Sequence, residues 1–202
     1  MLRFWDQVLR YFYLTLPGRL PGVRLLDMGC GKGALVAWAE HDGLTAVGAE
    51  PFWPAPLLSR RIARAFGEQL PFVDHSFDLV VSFSVLSHVR DPGACLVEIR
   101  RVLRPGGSAF IAVPELEGYR FLRRDIYARL TSERWLRELV GRDPELKFIG
   151  ARHIGVKYAV PVLKRTAIRL APPIGLALLR WIYRRSYPLF IADLSICEIR
   201  RS

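Results

Sequence analysis

The stretch Leu25-Leu26-Asp27-Met28-Gly29-Cys30-Gly31-Lys32-Gly33 sets three glycines at alternate positions behind an aliphatic run that ends in a carboxylate. Glycine admits positive φ and leaves the backbone bare, so a ligand can lie against the peptide itself. A helix opening just behind such a loop aims its free N–H groups at the same place. The spacing is G-x-G-x-G, not the G-x-G-x-x-G of dinucleotide sites. Glu50 stands 17 positions after Gly33, behind the apolar run Thr45-Ala46-Val47-Gly48-Ala49. An ionised carboxylate there can accept both hydroxyls of a ribose. Taken singly, the glycines also suit a tight strand-to-helix turn and Glu50 a solvated strand end; together they point to a nucleoside-bearing ligand.

These residues need elements to position them. Phe4–Leu14 has the pattern of a helix, and Pro17-Gly18 and Pro21-Gly22 mark turns. Val23–Met28 predicts a strand, Ala34–Glu40 a helix closed by Gly43, and Thr45–Ala49 the next strand. After the Pro-rich PFWPAP we expect a short helical turn and a small strand near Ile62–Phe66. Phe77–Phe83, rich in β-branched residues, reads as a buried strand. Pro92–Leu103 predicts an amphipathic helix with Pro92 at its start, Arg104–Gly107 a turn and Ser108–Val113 another buried strand. Beyond Pro114 we expect a helix over Thr131–Val140, capped by Ser132 or Thr131. Late strands follow at Lys147–Ile154 and Leu189–Arg200, the second in an antiparallel edge pair. Alternation of this kind implies an α/β fold with a mostly parallel, Rossmann-like, seven-stranded sheet and helices on both faces.

The 202 residues suit one domain, and 51% hydrophobic content supplies a full core. The formal charge is +11, unevenly spread: residues 1–114 hold 12 Lys and Arg against 10 Asp and Glu, whereas residues 115–202 hold 18 against 9. Cys30, Cys95 and Cys197 are odd in number, far apart and without metal-ligand spacing, which argues against a zinc site or a disulfide framework. The longest uncharged run near the C-terminus, Leu170–Leu179, is too short to cross a bilayer. These features predict a cytoplasmic protein, peripheral to a membrane at most.

Five segments occur in order: LLDMGCGKG, VGAEP (Val47–Pro51), EQLPF (Glu68–Phe72), SFDLVVSFSVLSHV (Ser76–Val89) and EIRRVLRPGG (Glu98–Gly107). Together they resemble the class I S-adenosylmethionine-dependent methyltransferases, in the small-molecule branch (methyltransferase type 11) that includes quinone- and sterol-modifying enzymes. The resemblance covers about residues 23–114. It implies that Asp27, Gly29 and Gly31 line the amino-acid end of S-adenosylmethionine, that Cys30 and Gly33 belong to the same cofactor-binding loop, and that Glu50 holds its ribose. Pro51 and Phe52 would lie near the adenine, with Glu68 and the backbone of Gln69 and Leu70 beside it. Ser82 and Phe83 would face the methionine moiety. One position departs from the family: Phe66 stands where an Asp often binds the adenine amino group, so either Glu68, a backbone carbonyl or packing must take that role.

Methyl transfer from a sulfonium depends mainly on aligning the acceptor, and a base helps only where the acceptor begins protonated. His88 and Glu115 are the candidate bases, each with a plain structural or solvated reading beside it; His75 reads as a surface turn residue. The sequence has no Asn/Asp-Pro-Pro-aromatic tetrapeptide and no Pro-Cys nucleophile, so a small-molecule or lipid-like acceptor is favoured over a nucleobase. In the last third, Val156–Leu170 puts Val156, Ala159, Val160, Leu163, Ala167 and Leu170 on one helical face. Lys157, Lys164, Arg165 and Arg169 fall on another. Ile174–Arg185 ends with Arg180, Arg184 and Arg185 around Trp181 and Tyr183. We expect residues 115–188 to form a basic helical insertion that closes the acceptor site, with its arginines solvated or facing an anionic membrane surface. Two other classes remain open on the sequence: a cofactor-binding partner subunit without activity, and a basic nucleic-acid-binding or RNA-modifying protein on the same fold.

Overall fold

Central strands of a parallel sheet are covered on both faces and so read as continuous apolar runs. The strand β1 (Arg24–Met28) shows this directly: after exposed Arg24, all four residues are buried. A computed structural model describes residues 4–52, 57–114, 132–155 and 193–202. Within the expected insertion at 115–188, residues 132–155 form a helix and an edge strand of the sheet, while Glu115 and Val156–Arg185 lie outside the described residues.

The elements run α1 (Phe4–Thr15), β1, α2 (Ala34–His41), β2 (Thr45–Ala49), β3 (Ile62–Ala63), β4 (Phe77–Phe83), α3 (Pro92–Val102), β5 (Leu103–Pro114), α4 (Glu133–Val140), β6 (Leu146–Gly155) and β7 (Asp193–Arg201). They build a seven-stranded sheet of order β3-β2-β1-β4-β5-β7-β6. The first five are parallel, and β7 runs antiparallel to both β5 and β6. This is the Rossmann-like α/β architecture expected from the sequence. Its strand order reverses between β1 and β4, where such sheets open a crevice at the strands' carboxyl ends.

One face of the sheet packs on α1 and α2, burying Phe12, Tyr13, Leu35 and Val36 against Leu25, Leu79 and Val81. The other packs on α3 and α4 through Leu96, Ile99, Leu136 and Val140 against Leu26, Val80 and Ile199. Helix ends are fixed by local chemistry. The Asp91 carboxylate accepts from the N–H groups of Gly93 (2.8 Å) and Ala94 (3.1 Å), with Pro92 in the first turn. Ser132, not Thr131, caps α4 by accepting from Trp135 N (3.2 Å). His153 joins α4 to the late strands: its Nδ1 lies 2.8 Å from Ser195 Oγ and its Nε2 3.3 Å from Glu133 Oε2.

Three sequence expectations are corrected. The turn at Arg104–Gly107 is absorbed into β5, which starts at Leu103, and pairing with β4 jumps from Phe77↔Leu103 to Leu79↔Ser108. Asp78, opposite this bulge, accepts from Arg24 N (2.7 Å) and binds the Arg104 guanidinium (3.0 Å), so it holds the extra residues to the sheet. Residues 57–61 contain no helical turn. Their donors are committed elsewhere: Leu58 N to Lys32 O (2.7 Å) and Arg61 N to Ser59 Oγ (3.0 Å). The small strand is trimmed to Ile62–Ala63, which leaves Phe66 off the sheet.

Candidate active site

Strand pairing brings the proposed residues to one edge. Met28 is registered with Ala49 and Asp27 with both Gly48 and Val81, so the ends of β1, β2 and β4 lie side by side. The glycine loop leaves β1 with Gly29, Gly31 and Gly33 at φ of 77°, 52° and 80°, a region L side chains rarely adopt. Space above Gly31 is open: a Cβ built there meets no atom within 4 Å. Cys30 packs beneath the loop and is buried, and burial pushes its thiol pKa upward, so the sulfur is a packing group. A Cβ at Gly48 would overlap Cys30 Sγ, which explains a glycine inside β2.

Glu50 sits where β2 ends, with one carboxylate oxygen accepting from Gly31 N (3.0 Å) and the other from Phe52 N (3.1 Å). A carboxylate has about four lone-pair sites. Two remain for hydroxyl donors, and the backbone amides pre-orient the group. Asp27 is buried and has no hydrogen-bond partner for its carboxyl among the described residues. Burial first, and then the nearby charge of Glu50, raises its pKa to about 7. The hydroxyls of Ser82 and Ser84, at the end of β4, are likewise buried without a hydrogen-bond partner among the described residues. Ser84 has a φ of 56°, a strained value for a side-chain-bearing residue. Phe83 packs against Phe12 of α1 at a centroid distance of 5.3 Å. Helix α1 thus supports this end of the sheet, a role the sequence did not signal.

His88 lies in the turn after β4, where its N–H donates to Val85 O (2.8 Å). The residue is exposed, and such packing as the ring has lowers its imidazole pKa. On the far side of the crevice, several expected base-reading groups are committed to the scaffold. Glu68 Oε1 accepts from Arg90 N (2.9 Å) and Asp91 N (3.3 Å), whereas its Oε2 is buried without a hydrogen-bond partner among the described residues. Gln69 N donates to Phe66 O (3.1 Å) and Leu70 N to Glu98 Oε2 (2.7 Å). Leu70 O accepts from Arg101 (2.9 Å).

Residues 26–111 match the model of a family described as a methyltransferase domain. This segment is similar to methyltransferase domains. A protein described as an uncharacterized methyltransferase from Mycobacterium sp. (strain KMS) is 39% identical over 104 residues, 48% of this chain and 40% of its own length. A ubiquinone biosynthesis O-methyltransferase from Rhizobium etli (strain CIAT 652) is 32% identical over 106 residues, 48% of this chain and 43% of its own. The chain thus spans less than half the length of these relatives. In fold it resembles the crystal structure of the [4+2]-cyclase SpnF at a TM-score of 0.68 and 20% identity, covering 97% of this chain and 80% of that one.

The site fits an amino-acid-bearing nucleoside. Glu50 has acceptor capacity for a ribose, the space above Gly31 is open, and Asp27 is a buried acid suited to an ammonium group. Among the described residues no cluster of His, Cys, Asp or Glu could hold a metal ion, and no helix is long and apolar enough to cross a membrane.

Proposed function

We propose that the protein transfers the methyl group of S-adenosylmethionine to a small-molecule or lipid-like acceptor by in-line displacement. The observation that carries this reading is the pair of acids at one crevice: pre-oriented Glu50 ending β2 and buried Asp27 near the end of β1. Bound there, S-adenosylmethionine would supply an electrophilic methyl on a sulfonium whose leaving group is a neutral thioether. The chain's own contribution is alignment and exclusion of water. Glu50 holds the ribose, Asp27 the ammonium, and Ser82 and Phe83 form the wall toward the methionine. His88 and Glu115 are the side chains proposed to take a proton from a protonated acceptor.

The relatives named for ubiquinone biosynthesis O-methylation make a hydroxyl on a lipid-tailed ring the first acceptor to try. The positive excess of residues 115–202 supports a site served from an anionic lipid surface.

Calorimetry with S-adenosylhomocysteine tests the cofactor, and transfer of labelled methyl into a panel of hydroxylated quinones and lipids tests the reaction. Glu50→Ala should weaken S-adenosylhomocysteine binding by about 1.5–3 kcal/mol, because the ribose loses a charged acceptor. Absence of binding by the unmodified protein would overturn the whole reading. Binding with no labelled product from any acceptor would turn it toward a partner subunit.

A further inference from the structure

A parallel sheet ordinarily hides both faces under its crossover helices. On the face served by α3 and α4, α3 lies against β5 and α4 against β6 and β7. The connection from β3 to β4, residues 64–76, contains no helix. Its Ala65 and Phe72 pack on the core, but among the described residues no helix covers this face over β2 and β3. A cavity of about 440 Å³ opens there, within the size range of small-molecule sites. It lies toward the end of the sheet opposite the glycine loop. Arg24, Thr45 and Phe77, the first residues of β1, β2 and β4, all line it, whereas the nucleoside crevice is at the strands' carboxyl ends.

The lining combines two kinds of surface. Val47, Ala63 and Phe77 supply an apolar floor, and the exposed residues Arg24, Arg60 and Arg61 stand at its rim. Neutralisation of the rim is incomplete. Arg61 binds Glu40 (3.1 Å). Asp78 is shared between Arg24 (3.2 Å) and Arg104 (3.0 Å), so one carboxylate serves two guanidiniums. Arg60 has no ionic partner among the described residues. Four arginines thus meet two carboxylates, an excess of two positive charges beside apolar surface. A guanidinium fork matches a carboxylate through two parallel hydrogen bonds. A small inorganic anion would answer the charge and leave the floor wet, and a neutral lipid would do the reverse. An alkyl chain with one carboxylate head satisfies both.

We propose that this cavity is a second ligand site, for a medium-chain carboxylate whose head meets Arg60 and whose chain lies on Val47, Ala63 and Phe77. The site is separate from the nucleoside crevice and stands independently of the S-adenosylmethionine reading.

Calorimetry on the full chain with decanoate, kept below its micelle concentration, tests the site. Decanoate should bind, and octanoate should bind about tenfold more weakly, since each methylene removed from water strengthens binding about fourfold. Decanol has the chain without the charge and acetate the charge without the chain, so each should bind at least about tenfold more weakly than decanoate. Arg60→Gln should weaken decanoate by about tenfold and leave decanol unchanged. Thr45→Trp, which places an indole in the cavity from an exposed strand position, should abolish decanoate binding. Melting curves check that both variants stay folded. Saturating S-adenosylhomocysteine should not displace decanoate, because the two ligands occupy opposite ends of the sheet. Failure of decanoate to bind, decanol binding as tightly, or either folded variant binding decanoate normally would overturn the site. Displacement by S-adenosylhomocysteine would also overturn it, and would leave the cofactor reading in place.

Discussion

Asp27 is the residue at which binding and protonation should meet. Its carboxyl is buried, lacks a hydrogen-bond partner among the described residues and titrates near pH 7. In the unfolded chain it would titrate near its ordinary value of 3.8. Between these values the folded protein holds a proton that the unfolded chain has released. This group's contribution therefore makes the free protein less stable as pH rises through that window. Asp27→Asn should remove that contribution, and the difference in melting temperature between variant and parent should widen from pH 5 to pH 8. A cation bound at Asp27 reverses the preference by favouring the carboxylate. Binding of S-adenosylhomocysteine near pH 6 should then release about one proton, falling toward zero by pH 8. Affinity should drop up to about tenfold per pH unit below 7. Calorimetry in buffers of different ionisation enthalpy measures the release directly, and Asp27→Asn should abolish it. Equal heats across buffers at pH 6 would mean that no ammonium reaches Asp27.

At the scale of elements, Arg101 of α3 fastens the connection between β3 and β4. Its guanidinium donates to the carbonyls of Leu70 (2.9 Å) and Phe72 (2.7 Å), to Asp74 (2.8 Å) and to both oxygens of Glu98 (2.7 and 2.8 Å). Hydrogen bonding to Arg101 is the leading cause that holds the Glu98 and Asp74 carboxyls below their usual range. Lysine offers one point charge in place of this planar fork. Arg101→Lys should cost about 2 kcal/mol in urea unfolding and speed hydrogen exchange in residues 70–75. Unchanged exchange there would show that the connection is held by its apolar contacts alone.

The same connection shows what sequence could and could not reveal. Thr45–Ala49 and Phe77–Phe83 were legible to the residue, because central parallel strands are apolar on both faces. Asp27, the glycines and Glu50 were legible because their spacing is set by a single strand–loop–helix–strand unit. The bulge in β5 was not, since it depends on Asp78 catching Arg24 and Arg104 from separate segments. Nor was the commitment of Leu70's amide and carbonyl to Glu98 and Arg101, which are distant in sequence and adjacent only in the fold. The packing of Cys30 under Gly48 left only a glycine in a strand as its signal.

For the whole molecule, fold alone does not choose the reaction, since a similar architecture serves a protein described as a [4+2]-cyclase. The choice of acceptor must then depend on what surrounds the shared core, and here the charge distribution is informative. The net charge is +2 over residues 1–114 and +9 over residues 115–202, where basic residues alternate with aromatic and aliphatic ones. Near an anionic bilayer each Lys or Arg contributes about 1 kcal/mol of attraction, which fades within a Debye length as salt rises. The protein should therefore co-sediment with vesicles containing phosphatidylglycerol, release as salt is raised, and ignore pure phosphatidylcholine. Replacing Arg180, Arg184 and Arg185 together with Glu should weaken vesicle binding about 100-fold or more. Calorimetry should find S-adenosylhomocysteine affinity unchanged in that variant, because these positions lie outside the segment 26–111 that matches the methyltransferase family model. Equal binding to both vesicle types would discard the anionic surface, and a salt-sensitive shift of RNA lost in the same variant would assign the charge to nucleic acid instead.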